Sequence, residues 1–481
     1  MSAGQVDRKA KTKLPPQPVR SRPAEERIHD FAPVKISYDA EEARAEASRC
    51  LLCPNQACTV ACPLSNDIPS AMRLISEGKF IDAAAVYQAT STLPDVCSRV
   101  CPQDNLCEGA CVLGKHGQAV ALGALERFVS DYARVHAGPV TLPPSTGSRV
   151  AVVGAGPAGL SAAQRLRERG HEVTCYESMP AAGGWLAYAI PTYKLPREIV
   201  TEKIATLEKL GIQFVFNTRV GKDIALSDLR EQYDAVFLGL GAMIDAQVEI
   251  EGRELDGVYT GTEFLLPIYV AAALRPPDID WPEVGRRVAV FGGGDTAMDC
   301  VRTAVRLQSQ RGWVPDVNLV YRRTEQEMPA SYRERKYAME EGIQFTYLEA
   351  PIAFTPGPDG RVKEVIIQRM ELGEPGSDGR RRPVPIEGDT YTMPVDTAIL
   401  ALGYWPDPLM GKHEPELETH KWGLIVVNEE TGETNLPGVY AGGDAVRGPN
   451  LVSRAALDGI RAANAIHAFL EVKRTAQSVG D

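Results

Sequence analysis

The chain has 481 residues, a formal net charge of −11, 44% hydrophobic and 24% charged side chains, an ordinary balance for a soluble globular protein of roughly two to four domains. The acidic excess argues against a chain that neutralises nucleic-acid phosphates. The longest apolar stretch, Phe264 to Leu274, is short and interrupted by Pro267, so nothing is expected to span a bilayer. The N-terminal stretch is basic and Pro-rich without the apolar run of a secretory signal, which points to the cytoplasm. Residues 1–23, with the Lys/Arg-rich run from Arg8 to Arg22, read as a flexible arm.

Eight of the ten cysteines form two groups, Cys50-x2-Cys53-x4-Cys58-x3-Cys62 and Cys97-x3-Cys101-x5-Cys107-x3-Cys111, with proline after Cys53, Cys62 and Cys101. Eight thiolates match two four-iron clusters, and Cys-Pro endings occur in bacterial ferredoxin runs where one cysteine crosses to the other cluster. Such clusters carry single electrons. Two structural zinc sites would use the same thiolates, but the x4, x3 and x5 spacings fit paired Cys-x2-Cys knuckles poorly. A disulfide framework belongs to short secreted chains. Cys175 and Cys300 lie in apolar stretches, an expected strand and an expected helix, and read as buried small hydrophobes. Residues 24–145 are expected to form a mostly helical iron–sulfur domain.

The segment 136–148 concentrates Gly, Pro and Ser, as an interdomain connection does. After it, the apolar run from Val150 to Val153 leads into Gly154-Ala-Gly156-Pro157-Ala158-Gly159 and a helical pattern from Leu160 to Arg169; a second strand, His171 to Tyr176, ends at Glu177. This is a dinucleotide-binding βαβ unit. Its glycines admit a pyrophosphate to the backbone, the helix N-terminus stabilises the charge, and the acid accepts from a ribose hydroxyl.

A second fingerprint follows, with Arg287 to Phe291 as strand and Gly292-Gly-Gly294-Asp295-Thr296-Ala297 opening a helix from Met298 to Gln308. The next strand, Val317 to Tyr321, ends in Arg322-Arg323 where an NAD site would place a carboxylate. Guanidinium groups bind a ribose 2′-phosphate bidentately, which favours NADPH. Val236 to Gly241 and Ala398 to Gly403, apolar strands ending in glycine, mark crossings between two domains, and Pro356 to Gly360 and Gly373 to Arg382 read as hairpin tips.

Near the C-terminus, Gly438-Val-Tyr-Ala-Gly-Gly443-Asp444 precedes a long amphipathic pattern from Leu451 to Leu470. The arrangement resembles two-dinucleotide flavoproteins. That resemblance implies FAD in the first site, Asp444 on its ribityl chain, and a helix N-terminus stabilising negative charge on the reduced flavin. The expected fold is α/β: two Rossmann-like dinucleotide-binding domains, for FAD and NADPH, preceded by a helical double iron–sulfur domain. FAD takes residues 146–245 and 405–481, and NADPH takes 246–404.

The order of two four-cysteine groups, GAGPAG, GGGDTAMD, VYRR and AGGDA is similar to the small subunit of NADPH-dependent glutamate synthase over nearly the whole chain. The same module resembles the NADPH-binding subunit of ferredoxin:NADP transhydrogenases and the N-terminal part of dihydropyrimidine dehydrogenase, where a glutamine replaces one cysteine. The resemblance implies one cluster on Cys50, Cys53, Cys58 and Cys111, and another on Cys62, Cys97, Cys101 and Cys107. It also implies that Gly183, Gly184 and the stretch Ile190 to Pro196, with Lys194, lie along FAD, with Asp295 and Thr296 near the nicotinamide. The implied function is hydride transfer from NADPH to FAD, then electron delivery to a larger partner, either the glutamate synthase large subunit or a ferredoxin-coupled flavoprotein. Serine at position 2 leaves no N-terminal cysteine nucleophile for glutamine hydrolysis. A third reading, a zinc-stapled nucleotide-binding scaffold, would lack redox turnover.

Overall fold

The computed structural model describes residues 7–115, 117–138, 141–270, 281–376, 379–407, 411 and 413–480, with 477–480 in backbone only. From Ala40 to His136 the chain is mainly helical: Ala40–Ser48, Ala57–Ala61, Ile68–Ser76, Phe80–Thr90, Pro94–Val100 and Leu122–His136. Local chemistry sets the starts. Asp39 forms a capping box with Glu42, Asp67 accepts from the Ser70 N–H, and Pro69 and Pro94 occupy first turns where no N–H is needed. Ile68, Met72, Ile75, Leu125 and Val129 supply one apolar core, and the cysteines sit in the loops and helix ends around it.

The N-terminal arm departs from expectation. Residues 1–6 lie outside the described residues, but from Asp7 onward the arm is held in place. Arg8 Nε donates to the Leu51 carbonyl at 3.1 Å and Lys11 Nζ to that of Cys50 at 2.8 Å. The Gln17 N–H binds Glu46 at 2.8 Å, and Arg20 pairs with Glu42 at 2.8 Å. The irregular cysteine loop leaves backbone carbonyls without secondary-structure partners, and the basic arm satisfies them.

A five-stranded parallel sheet runs in the order Val439–Ala441, Ala235–Leu238, Arg149–Val153, Glu172–Tyr176, Gln213–Val215. Its central strands are buried apolar runs because helices cover both faces. The helix Pro157–Arg167 packs against the long helix Val452–Gly480. That helix continues well past Leu470, the last fully packed apolar position, because the polar sequence beyond contains no breaker.

A second parallel sheet has the order Val258–Thr260, Thr397–Leu400, Val288–Phe291, Val317–Tyr321, Gln344–Tyr347, and carries an antiparallel sheet of Glu349–Pro356, Val362–Pro375 and Arg381–Pro394. The turn between the first two of these strands falls at 357–360, within the tip read at Pro356 to Gly360, and the last two strands are joined between Pro375 and Arg381, inside the tip read at Gly373 to Arg382, where 377–378 lie outside the described residues. The two crossings pair as a short ribbon, Tyr404 opposite Asp245 and Trp405 opposite Ile244. Cys175 and Cys300 are both fully buried. Among the described residues no helix is long and apolar enough to cross a membrane; most of the apolar run ending at Leu274 forms the helix Gly261–Tyr269, and 271–280 lie outside the described residues.

The segments are joined through buried charge. Glu341 accepts from Arg27 at 2.8 Å, from Arg302 at 2.9 Å and from Arg306 at 2.8 Å. Arg302 also binds Glu334 at 2.8 Å, and Lys194 binds Asp299 at 2.8 Å and Glu334 at 3.4 Å. Nearby, Arg333 binds Glu108 at 2.6 Å and Gln103 at 2.9 Å. Burial alone would push the Glu341 carboxyl up, but Arg302 and Arg306 hold it down at about 2. Its contribution is therefore complete above the ordinary value of 4.5 and is lost as pH falls toward about 2. Glu341→Gln should lower stability to urea at pH 7 by about 3–5 kcal/mol, since it removes the carboxylate shared by three buried guanidinium groups and leaves Arg306 without its ion-pair partner, while Arg27 keeps Glu340 and Arg302 keeps Glu334. The gap from wild type should narrow on acidification below 4.5; a pH-independent gap would show that charge is not the cause.

Candidate functional site

A cavity of about 1340 Å³ lies at the carboxyl ends of both parallel sheets, larger than the ~300–1,000 Å³ of ordinary ligand pockets. Both glycine turns face it, each where the strand order reverses around a central strand. Gly156 and Gly294 precede the helices Pro157–Arg167 and Asp295–Gln310. A Cβ on Gly156 would meet nothing within 4 Å, and one on Gly294 only Pro329 at 3.9 Å. The space in front of each helix N-terminus is open, so both positive dipole ends look into the cavity.

Other fingerprint positions shape the wall from behind. A Cβ on Gly159 would sit 1.8 Å from the Gly154 carbonyl oxygen, and Gly154 itself has φ +92°. The Gly183 N–H donates to the Ala155 carbonyl at 2.8 Å, a Cβ on Gly443 would meet that of Ala158 at 2.9 Å, and Ala297 is fully buried. These four, Gly159, Gly183, Ala297 and Gly443, do not line the cavity. Gly154, Pro157, Ala158, Gly184, Gly292 and Thr296 do.

The charged positions are also on the wall. Glu177 is fixed by the N–H groups of Ala155 at 2.8 Å and Met179 at 2.9 Å. Asp444 accepts from the Asn450 N–H at 3.2 Å, and burial pushes its carboxyl up to about 7. Asp295, Arg322 and Arg323 line the second-sheet side. Lys194, buried beside Asp299 and Glu334, stays protonated: burial opposes its charge, but the two carboxylates outweigh burial. Asp299 is pushed up to about 6 by burial, against the pull of Lys194.

The cysteines fall into two spatial sets. Cys50, Cys53, Cys58 and Cys111 line a small cavity with Ala57, Pro69 and Leu113. Cys107, the cysteine before Cys111 in sequence, does not line it. The Cys97 thiol is pushed up by its hydrogen bond to Cys101 and by burial, and Cys107 is pushed up by burial and by the charges of Glu108, Glu126, Cys62 and Cys101. Among the described residues no three His, Cys, Asp or Glu side chains converge on one ion-sized point; the first set surrounds a space. Cys62, Cys97 and Cys101 share an apolar cluster with Leu186, Ile190 and Val452, which line the large cavity.

Sequence reasoning missed two groups. Glu126 is buried with an unpartnered Oε1, and burial together with Cys101 pushes its carboxyl well up. Its signal was an acid on the otherwise apolar face of Leu122, Leu125 and Val129. Asp299, one turn into the second fingerprint helix, is the partner of Lys194, which no spacing rule connects to it.

Residues 27–137 match the family described as dihydropyrimidine dehydrogenase domain II, 4Fe-4S cluster, and residues 148–459 match pyridine nucleotide-disulphide oxidoreductase. The chain is 39% identical to the NADPH-dependent glutamate synthase small chain of Escherichia coli strain K12, across 94% of this chain and 96% of that one. It is 36% identical to the NADP(+)-dependent formate dehydrogenase subunit beta of Moorella thermoacetica, across 88% of this chain and 61% of that one. In fold it resembles Mycobacterium tuberculosis FprA in complex with NADPH, with a TM-score of 0.57, 19% identity, and coverage of 70% of this chain and 86% of that one.

Two alanine substitutions separate support from contact. Gly159→Ala should destabilise the fold by about 1–3 kcal/mol or more through overpacking, seen in urea unfolding. Gly156→Ala should leave unfolding nearly unchanged but reduce dinucleotide content of the purified protein, because its methyl enters the open space. Equal stability losses would refute the distinction.

Proposed function

The chain belongs to the family of the NADPH-dependent glutamate synthase small chains, and from that premise we propose that it is the electron-input subunit of a larger enzyme. It is an NADPH-dependent oxidoreductase with an iron–sulfur domain rather than a zinc-stapled one. The bound groups supply hydride acceptance by FAD from NADPH and single-electron carriage by two four-iron clusters. The observation that carries this reading is spatial: two glycine turns open into one cavity, and cysteines pack against its wall.

In this reading residues 24–145 carry the clusters, 146–245 with 405–481 bind FAD, and 246–404 bind NADPH. Gly154, Gly156, Pro157 and Ala158 cradle the FAD pyrophosphate, Gly159, Gly183 and Gly443 support the turn from behind, Glu177 takes a ribose hydroxyl, and Gly184, Lys194 and Asp444 complete the wall. Gly292, Gly294, Asp295, Thr296 and Ala297 serve NADPH, with Arg322 and Arg323 on its 2′-phosphate. Lys194 maintains a positive charge on the wall where a reduced flavin is negative. Cys50, Cys53, Cys58 and Cys111 hold the outer cluster. The inner one has five candidate donors, Cys62, Cys97, Cys101, Cys107 and Glu126. Val60, beside Cys58 and 84% exposed, marks the exit face. Thiolates in this number suit a reducing compartment, which supports a cytoplasmic location.

The proposed partner is the large glutamate synthase subunit, because similarity to the small chain runs from end to end. A ferredoxin-coupled flavoprotein is the second reading, kept because the chain is also similar to a subunit of an NADP(+)-dependent enzyme other than glutamate synthase. Anaerobic co-purification, followed by glutamate formed per NADPH consumed with and without the captured chain, tests both. The isolated chain should reduce artificial acceptors and form no glutamate; glutamate made by it alone would overturn the assignment.

Cys111→Ser and Cys50→Ser should perturb the same signal in low-temperature electron paramagnetic resonance, and Cys62→Ser the other. Whichever of Cys97→Ser and Glu126→Ala leaves the inner signal intact identifies the non-ligand. A common effect of Cys107→Ser and Cys111→Ser would disprove the grouping. Neutralising Arg322 and Arg323 together should lower the NADPH to NADH specificity ratio about tenfold or more, as charge-assisted hydrogen bonds contribute about 1.5–3 kcal/mol each. An unchanged ratio would remove them from the site.

A further inference from the structure

The loop after Arg323 supplies acids rather than a further cation, for it reads Thr324-Glu325-Gln326-Glu327. Both carboxylates turn back onto their own surroundings: Glu327 accepts from the Thr324 hydroxyl at 2.5 Å and Glu325 pairs with Arg335 at 2.9 Å. A third guanidinium reaches the same wall from elsewhere in the chain. Arg380, in the turn between the antiparallel strands Val362–Pro375 and Arg381–Pro394, lines the cavity with Arg322 and Arg323.

The hairpin is tied there through its backbone. Arg323 Nε donates to the Arg381 carbonyl at 2.7 Å. Arg381 clasps the opposite strand, its Nε on the Gly373 carbonyl at 3.0 Å and its Nη2 on that of Leu372 at 2.6 Å. At the base, the Leu348 N–H binds the Arg323 carbonyl at 3.1 Å and the Met370 N–H that of Leu348 at 2.8 Å. Glu349, an acid on this wall, accepts from the Tyr391 hydroxyl at 2.5 Å. Burial, and then the like charges of Arg323 and Arg380, weaken the hold of Arg322 on its proton. Three neighbouring cations repel one another, and a phosphate monoester carrying about −1.5 to −2 charges at neutral pH relieves that repulsion.

We propose that Arg380 is the third arm of the 2′-phosphate clamp, so that a strand end and a distant hairpin tip together set the preference for NADPH over NADH. This rests on the NADPH reading of the second glycine turn. The carbonyl and side chain of Arg381 hold the hairpin, and Arg380→Ala leaves those contacts in place.

The probes are 2′,5′-ADP and 5′-AMP, titrated calorimetrically into the flavin-loaded protein. Arg380→Ala should weaken 2′,5′-ADP about tenfold or more, the loss of one charge-assisted contact, and leave 5′-AMP unchanged; Arg380→Lys should recover part of the loss. Arg382→Ala, on the exposed strand beyond the cavity, is the control and should match wild type. If wild type does not distinguish the two nucleotides, the NADPH reading of this wall fails. If wild type distinguishes them, and Arg322→Ala abolishes the distinction while Arg380→Ala keeps it, the clamp has two arms and the proposal is overturned. Equal weakening of both nucleotides by Arg380→Ala would also overturn it.

Discussion

Glu341 is where three separate parts of the chain meet: the N-terminal strap through Arg27, and the second fingerprint helix through Arg302 and Arg306, with Glu341 itself closing the helix Tyr332–Glu340. Buried ion pairs contribute little net stability against an apolar alternative, but a misplaced charge in a dry junction is costly. The network therefore fixes position more than strength. Leucines at these places would pack in several neighbouring registers, whereas three guanidinium groups around one carboxylate accept very few.

The helix Asp295–Gln310 converts that constraint into function. Its N-terminus opens on the cavity after Gly294, one turn in it carries Asp299 for Lys194, and further along it carries Arg302 and Arg306. Anything that fixes its far end fixes the second glycine turn relative to the first. The helical cysteine segment is held by the same logic: Arg333 reaches Glu108 and Gln103, and Thr92 donates to Ser161 on the first fingerprint helix at 2.7 Å. Both glycine turns and the inner cysteines are thereby placed around one space.

Features set by local chemistry were legible in the sequence. The two βαβ units could be read because buried parallel strands are unbroken apolar runs and because glycine at 154 and 292 answers a steric demand of the turn itself, while glycine at 156 and 294 keeps open the space before each helix. The hairpin tips after Pro356 and after Pro375 were legible through Gly and Pro for the same reason. What escaped was interaction across distance. The docking of the basic arm depends on carbonyls freed by an irregular loop, and Asp299 and Glu334 find Lys194 only after folding. The turn in which Arg380 sits was visible, but not which wall the tip approaches. Glu126 was readable in principle, as a charge amid Leu122, Leu125 and Val129, since an acid on an apolar helix face needs a reason to be there.

The ribbon that pairs Ile244–Asp245 with Tyr404–Trp405 makes the chain leave the first sheet and return to it at adjacent points. Whatever lies between enters and exits through one doorway, as tolerated insertions do. A segment joined in this way can be exchanged as a cassette without shifting the first sheet or the cysteine helices, provided the substitute supplies acids at the places of Asp299, Glu334 and Glu341 and a cation at that of Arg333. Under the proposed function, variation in nucleotide preference among such chains arises by replacing a whole reader, with the electron path beyond it left intact.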